Sequence, residues 1–164
     1  MKNIFGNKKG FSLIEMMVVV VILGLVVLAL VTFFTGGTIS WMAGQSQLKA
    51  QREARQAIDR MVREIREANK IYSTSISDEI YFHTPFDGDI SFSLSGRDLK
   101  RINNIMINNV QSLTFTYFDN SGNSIAPESA SKVHINLKVD VNKDENPDIT
   151  LNADVDLRNF GLQD

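Results

Sequence analysis

Glu15 is the last charge before Met16–Phe34 (MMVVVVILGLVVLALVTFF), a run of 19 residues that carries none. A carboxylate at the mouth of such a run costs on the order of a few kcal/mol if it is drawn into a bilayer, and such groups usually exist to meet a partner charge. A second set of oxygen-bearing residues is Asp140, Asn142, Asp144, Asn146 and Asp148, which fall at alternate positions as at the start of a calcium loop. Its sixth position is Glu145 rather than the glycine a sharp turn needs, and its twelfth is Leu151 rather than a bidentate glutamate. A polar hairpin loop is therefore the expectation for this segment, with calcium as the alternative and no other metal or cofactor implied.

The remaining candidates carry less chemistry. His83 and His134 are single, and His134 falls on the polar side of its segment with Asn136 and Lys138, where a solvent-facing side chain is expected. Arg97, Lys100 and Arg101 form a small basic cluster without aromatic interleaving, which reads as a strand-end surface rather than a nucleic-acid site. There is no G-x-S-x-G, no phosphate-binding glycine loop, no H-E-x-x-H and no cysteine. The expectation is a protein that is not an enzyme.

The charge-free run is the element that positions Glu15. At about 1.5 Å per residue it spans roughly 28 Å, the hydrocarbon thickness of a bilayer. Lys2, Lys8 and Lys9 precede it, which puts the N-terminus on the cytoplasmic side, and Trp41 follows at the level of the far headgroups. No A-x-A-like site follows the run, which argues against an ordinary signal peptide.

The residues around Glu15 then narrow the choice. Lys8-Lys9-Gly10-Phe11-Ser12-Leu13-Ile14-Glu15 resembles the type IV prepilin leader: basic residues, a glycine, an aromatic, then Ser/Thr-Leu-Ile-Glu and an apolar helix. The resemblance implies that a prepilin peptidase removes residues 1–10 by cutting between Gly10 and Phe11 and methylates the new amine on Phe11. It also implies that Glu15 pairs with the Phe11 amine of a neighbouring subunit during filament assembly. An unpaired buried charge is expensive, so such a pair selects one axial register. A residue without a side chain suits the scissile position, which is Gly10. Major pilins often carry a glycine at the place of Gly24 and a proline two turns later, where their helix can unwind; here the later position is Thr32. Gly24 therefore has two readings, a site of local unwinding or one of close helix packing.

Residues 1–10 hold three lysines and no acid, so the net charge of −2 becomes −5 after their removal, with 14 basic against 19 acidic residues. A mildly acidic chain has no general reason to bind nucleic acid.

Beyond Thr35-Gly36-Gly37-Thr38, a soft joint in pattern, Ala54, Ile58, Met61, Ile65, Ala68 and Tyr72 recur every three or four residues, joined by Val62. Arg55/Asp59, Asp59/Arg63, Arg60/Glu64 and Arg63/Glu67 stand four apart on the other faces, as on a solvated helix surface. The pattern predicts a nearly continuous helix from about Phe11 to Ile71, weakest at 36–44. After it the period becomes two. Ile80 and Phe82, then Ile90, Phe92 and Leu94, flank Asp87-Gly88; Val110 to Tyr117 stops at Asp119–Gly122; Val133 to Val141 and Ile149 to Leu157 flank Asn142–Asp148. One-sided strands imply an antiparallel sheet whose dry face the helix stripe covers.

The fold expectation is α+β: a long N-terminal helix, transmembrane over 11–35 and amphipathic over 36–72, packed on an antiparallel β domain over 73–164. That is the pilin fold. Gln51–Asn69, Leu94-Ser95-Gly96 with Leu99-Lys100-Arg101, Leu113–Phe118 and Arg158-Asn159 resemble W-type minor pilins and J-type minor pseudopilins. The absence of a C-terminal cysteine pair leans the same way. The resemblance implies a subunit that helps prime assembly near the tip of a type IV pilus or type II secretion-type filament. Its partners would be prepilin peptidase, other major and minor subunits, the inner-membrane assembly platform and, before assembly, membrane lipid. The rival expectation is a single-pass protein whose β domain binds a ligand or cell-wall component and never polymerises.

Overall fold

A computed structural model describes residues 10–158 of the chain. Lys2, Lys8 and Lys9, and Asn159 near the other end, lie outside the described residues. Helix α1 runs from Leu13 to Arg66 without a break. Neither Gly24 nor the Gly36-Gly37 pair nor Gly44 interrupts it, so the soft joint expected at 36–44 is helical throughout. The chain nevertheless divides at this point into two units, Met1–Gly44 and Gln45–Asp164.

In the first unit every large apolar side chain from Leu13 to Met42 is exposed, the least so being Val19 at 48%. Thr32, Thr35 and Thr38 turn their hydroxyls back onto helix carbonyls, Thr32 Oγ1 donating to Leu28 O at 2.7 Å and Thr35 Oγ1 to Val31 O at 2.9 Å. A hydroxyl satisfied within its own helix adds little polar surface to an apolar one. The helix is long and apolar enough to cross a membrane.

In the second unit the end of α1 buries Ala54, Ile58, Met61 and Ile65 of the stripe anticipated from the sequence, together with Ala57, which that pattern did not include, while Val62 is only half-buried. The helix stops at Arg66 rather than continuing to Ile71. Its last turn tightens, with Glu67 N donating to Glu64 O and Ala68 N to Ile65 O, and Asn69 N then donates to His83 O. That bond captures the chain as strand β1, Lys70–Ile71, before the helix can add another turn.

Two antiparallel sheets follow, where the pattern suggested one. The first has the order β1-β2-β3-β4-β5, with β2 Glu79–Thr84, β3 Gly88–Ser95, β4 Asp98–Arg101 and β5 Asn104–Ile107. The second has the order β6-β7-β8, with β6 Val110–Phe118, β7 Lys132–Val139 and β8 Ile149–Asp156. Asp87-Gly88 forms the β2–β3 turn with Gly88 at φ 72°, a left-handed conformation that suits glycine. Phe82 and Phe92 stack at 5.8 Å between ring centroids, and Ile135, Leu137 and Val133 are fully buried opposite the helix stripe in one continuous core. Val141 lies just past β7, which ends at Val139.

Candidate functional site

Ser12 precedes the first helical residue, and its carbonyl accepts from Glu15 N at 3.0 Å and Met16 N at 3.2 Å. Glu15 reaches back in turn, its Oε2 accepting the Ser12 N–H at 3.4 Å. Ser-x-x-Glu at a helix start is a capping-box pattern, and a carboxylate in the first turn also complements the positive end of the helix dipole. The contact is long and uses one carboxylate oxygen, so Glu15 keeps most of its accepting capacity. Gly10 and Phe11 lie just ahead of the helix, both exposed, with Phe11 at 77%. A side chain at Gly10 would meet nothing within 4 Å in the chain itself, so its lack of one answers to no packing need here. An amine on Phe11 would stand at the same helix end as the Glu15 carboxylate. The arrangement offers an exposed scissile region, an aromatic, and a carboxylate at the head of an uncovered apolar helix.

The domain's charged residues are mostly committed to its own structure. Glu64, 8% exposed, accepts from Arg101 Nε at 2.8 Å and from Arg60 Nε at 2.8 Å, so a residue of the expected solvated helix face is in fact buried. Arg101 also reaches Asp87 Oδ2 at 3.3 Å, tying the β2–β3 turn to β4 and α1. Arg97 donates to Asp140, and Lys100 Nζ donates to Ser95 Oγ at 3.1 Å. Each member of the basic cluster thus has a partner within the domain.

Asp140 is buried, which pushes its carboxyl up; the Arg97 guanidinium and the Lys143 and Glu145 amides more than offset this and hold it below the usual carboxylate range. Asp148 caps the same loop, its Oδ2 accepting from Val141 N at 2.7 Å and its Oδ1 from Gln47 Nε2 at 3.3 Å. Asn142 Nδ2 donates to Asp144 Oδ2 at 2.9 Å, and Asp144 Oδ1 accepts from Asn146 N at 2.9 Å. The five oxygen-bearing side chains considered for calcium are engaged in folding the β7–β8 loop, and among the described residues no three His, Cys, Asp or Glu side chains are grouped to hold a metal.

Both histidines face an aspartate directly across a ladder, a pairing that single-residue reading does not reveal. His83 Nδ1 lies 2.7 Å from Asp89 Oδ1 and His134 Nδ1 lies 2.7 Å from Asp154 Oδ1. Asp89 is held low by His83 and by the Tyr72 hydroxyl, and the same carboxylate raises Tyr72.

Residues 6–31 match the family model of the prokaryotic N-terminal methylation motif, an interval that holds Gly10, Phe11, Glu15 and Gly24. No match is found among curated proteins.

Proposed function

We propose, from the premise of a type IV pilin-like N-terminus joined to an α+β domain, that this chain is a structural minor subunit of a type IV pilus or secretion-type filament. The methylation motif supports a pilin-like protein processed by prepilin peptidase. One long helix packed by its second half against antiparallel sheets matches a pilin fold. The observation that carries the reading is the juxtaposition at residues 10–34: a glycine–aromatic bond, then a capping glutamate, then a helix whose apolar side chains are all uncovered. Full burial of a Val, Leu, Ile or Phe side chain is worth about 1.5–3 kcal/mol, so this surface requires a lipid or helical environment.

In this reading a prepilin peptidase cuts between Gly10 and Phe11 and methylates Phe11. The freed amine and Glu15 then carry opposite charges. Glu15 gives up its long bond to Ser12 for a shorter charge-assisted one to a neighbour's amine, and in a water-poor helical core that pairing fixes the register. The subunit is held in the cytoplasmic membrane by one span, domain outside, until it joins major and minor partners on the assembly platform. The committed arginines and histidines of the domain fit a structural role.

The test is co-expression of the chain with a prepilin peptidase and its cognate subunits, read by intact mass and co-purification. Loss of residues 1–10 with one added methyl group is expected, together with partner capture that Glu15→Ala abolishes. An unprocessed chain, cleavage after the apolar run, or unchanged partner capture by Glu15→Ala would overturn the reading and favour a simple anchor.

A further inference from the structure

Strand β8 is an outer strand of the second sheet; the other outer strand, β6, already exchanges backbone hydrogen bonds with Arg97, Ser77 and Ile125. Its eight residues pair with β7 from Val139↔Ile149 to Lys132↔Asp156, and among the described residues no other backbone hydrogen bond reaches Ile149–Asp156. In an antiparallel pair every second residue of an outer strand turns its N–H and C=O away from its neighbour, so β8 presents a row of unused donors and acceptors. Natural edges of this length are normally blunted by charged side chains, above all lysine, or by proline or a bulge. β8 has no proline or lysine, and its register with β7 is unbroken.

The two faces of β8 say what would cover that edge. Ile149, Leu151 and Ala153 point to the core side yet are only partly buried, while their β7 partners Val139, Leu137 and Ile135 are buried. Val155, on the same side, is fully buried, so the uncovered part of this face is the Ile149–Ala153 end. The other face carries Asp154 and Asp156, whose side chains stay 67% and 81% exposed even as they touch His134 and Lys132.

We propose that β8 accepts a further strand in trans, an extended segment of a partner protein in which apolar residues alternate with lysine or arginine. Its apolar side chains cover Ile149, Leu151 and Ala153, and its basic ones stand beside Asp154 and Asp156. This is strand addition with specificity set by the alternating side chains. A second copy of β8 is a poor occupant, because it brings its own two aspartates to the same face, where like charges oppose pairing. Strand β5, the outer strand at one end of the other sheet, has four residues and no charge, so it offers neither the length nor the complementarity. The proposal stands on the domain alone and does not depend on how the N-terminus is processed.

The full chain in detergent micelles is titrated with a labelled peptide alternating Val and Lys and matched in length to β8. A peptide alternating Val and Glu serves as the control, and amide exchange is followed residue by residue. Saturable binding of the Val–Lys peptide is expected, with exchange slowed in Ile149–Asp156, and the Val–Glu peptide should bind about tenfold more weakly. The double variant Asp154→Lys with Asp156→Lys should reverse that preference, a gain that misfolding cannot imitate. Equal binding of the two peptides, protection elsewhere in the domain, or a peptide-free chain that dimerises through β8 would overturn the proposal.

Discussion

Removing the Glu64 carboxylate leaves Arg101, its side chain 16% exposed, beside the helix without its main counter-charge. Glu64 is the one acid of α1 that faces inward, and it joins the helix to β4 while Arg101 carries the connection on to Asp87. Breaking a mostly buried pair costs more than the pair itself contributes, because the surviving charge keeps its desolvation penalty. Glu64→Ala should therefore destabilise the domain by about 3 kcal/mol, measured as a shift in urea midpoint at constant slope. Arg60→Ala, which removes a partner 45% exposed, should cost under about 1 kcal/mol. Equal losses for the two variants would mean that Glu64 is no more than a surface residue.

Helix α1 raises a question that belongs to the element rather than to any one contact. Gly24 lies in unbroken helix, and a Cβ there would meet nothing within 4 Å. Gly24→Ala should then strengthen the helix in the isolated subunit by about 1 kcal/mol, checked by circular dichroism on heating in micelles. A variant that gains helix stability yet joins partners less well would place local unwinding or close helix packing at Gly24, and one that joins equally well would remove both roles. The helix, its buried stripe and five strands were legible from apolar period alone, since each repeats long enough to show a face. What escaped had too few residues or the wrong ones. Strands β4 and β5 carry four residues each, and the turn between them places the β-branched Ile102 at φ 58°, where turn chemistry expects glycine or asparagine. The split into two sheets was hidden because alternation tells which side of a strand is dry but not which strand lies beside it. Long-range pairs such as Glu64–Arg101 and Arg97–Asp140 were hidden for the same reason, and the N-terminal methylation motif was visible because its meaning is carried by neighbouring residues.

At the scale of the molecule, among the described residues the buried hydrophobic ones all fall between Ala54 and Val155, while the apolar ones of the first unit are all exposed. The portion from Gln45 onward thus holds its whole core within itself, and it should fold as a soluble fragment with a single cooperative urea transition. The same fragment reports the domain's acid sensitivity. Among its described residues three carboxyls are held below their ordinary range: Asp89 by His83 and Tyr72, Asp119 by Asn123 and its turn amides, and Asp140 by Arg97 and loop amides that outweigh its burial. A carboxyl with a depressed folded pKa contributes stability that is present above its unfolded value, about 3.9, and is lost as the pH falls through the folded one. The fragment should accordingly lose stability below about pH 4. Asp140→Asn should be less stable than the parent at neutral pH, because Arg97 and the amides of Lys143 and Glu145 lose a charged acceptor. The gap between the two should narrow as the parent's carboxyl protonates, so that their urea midpoints converge on the acid side. A gap that stays constant from neutral pH into the acid range would show that Asp140 acts through shape and not through charge.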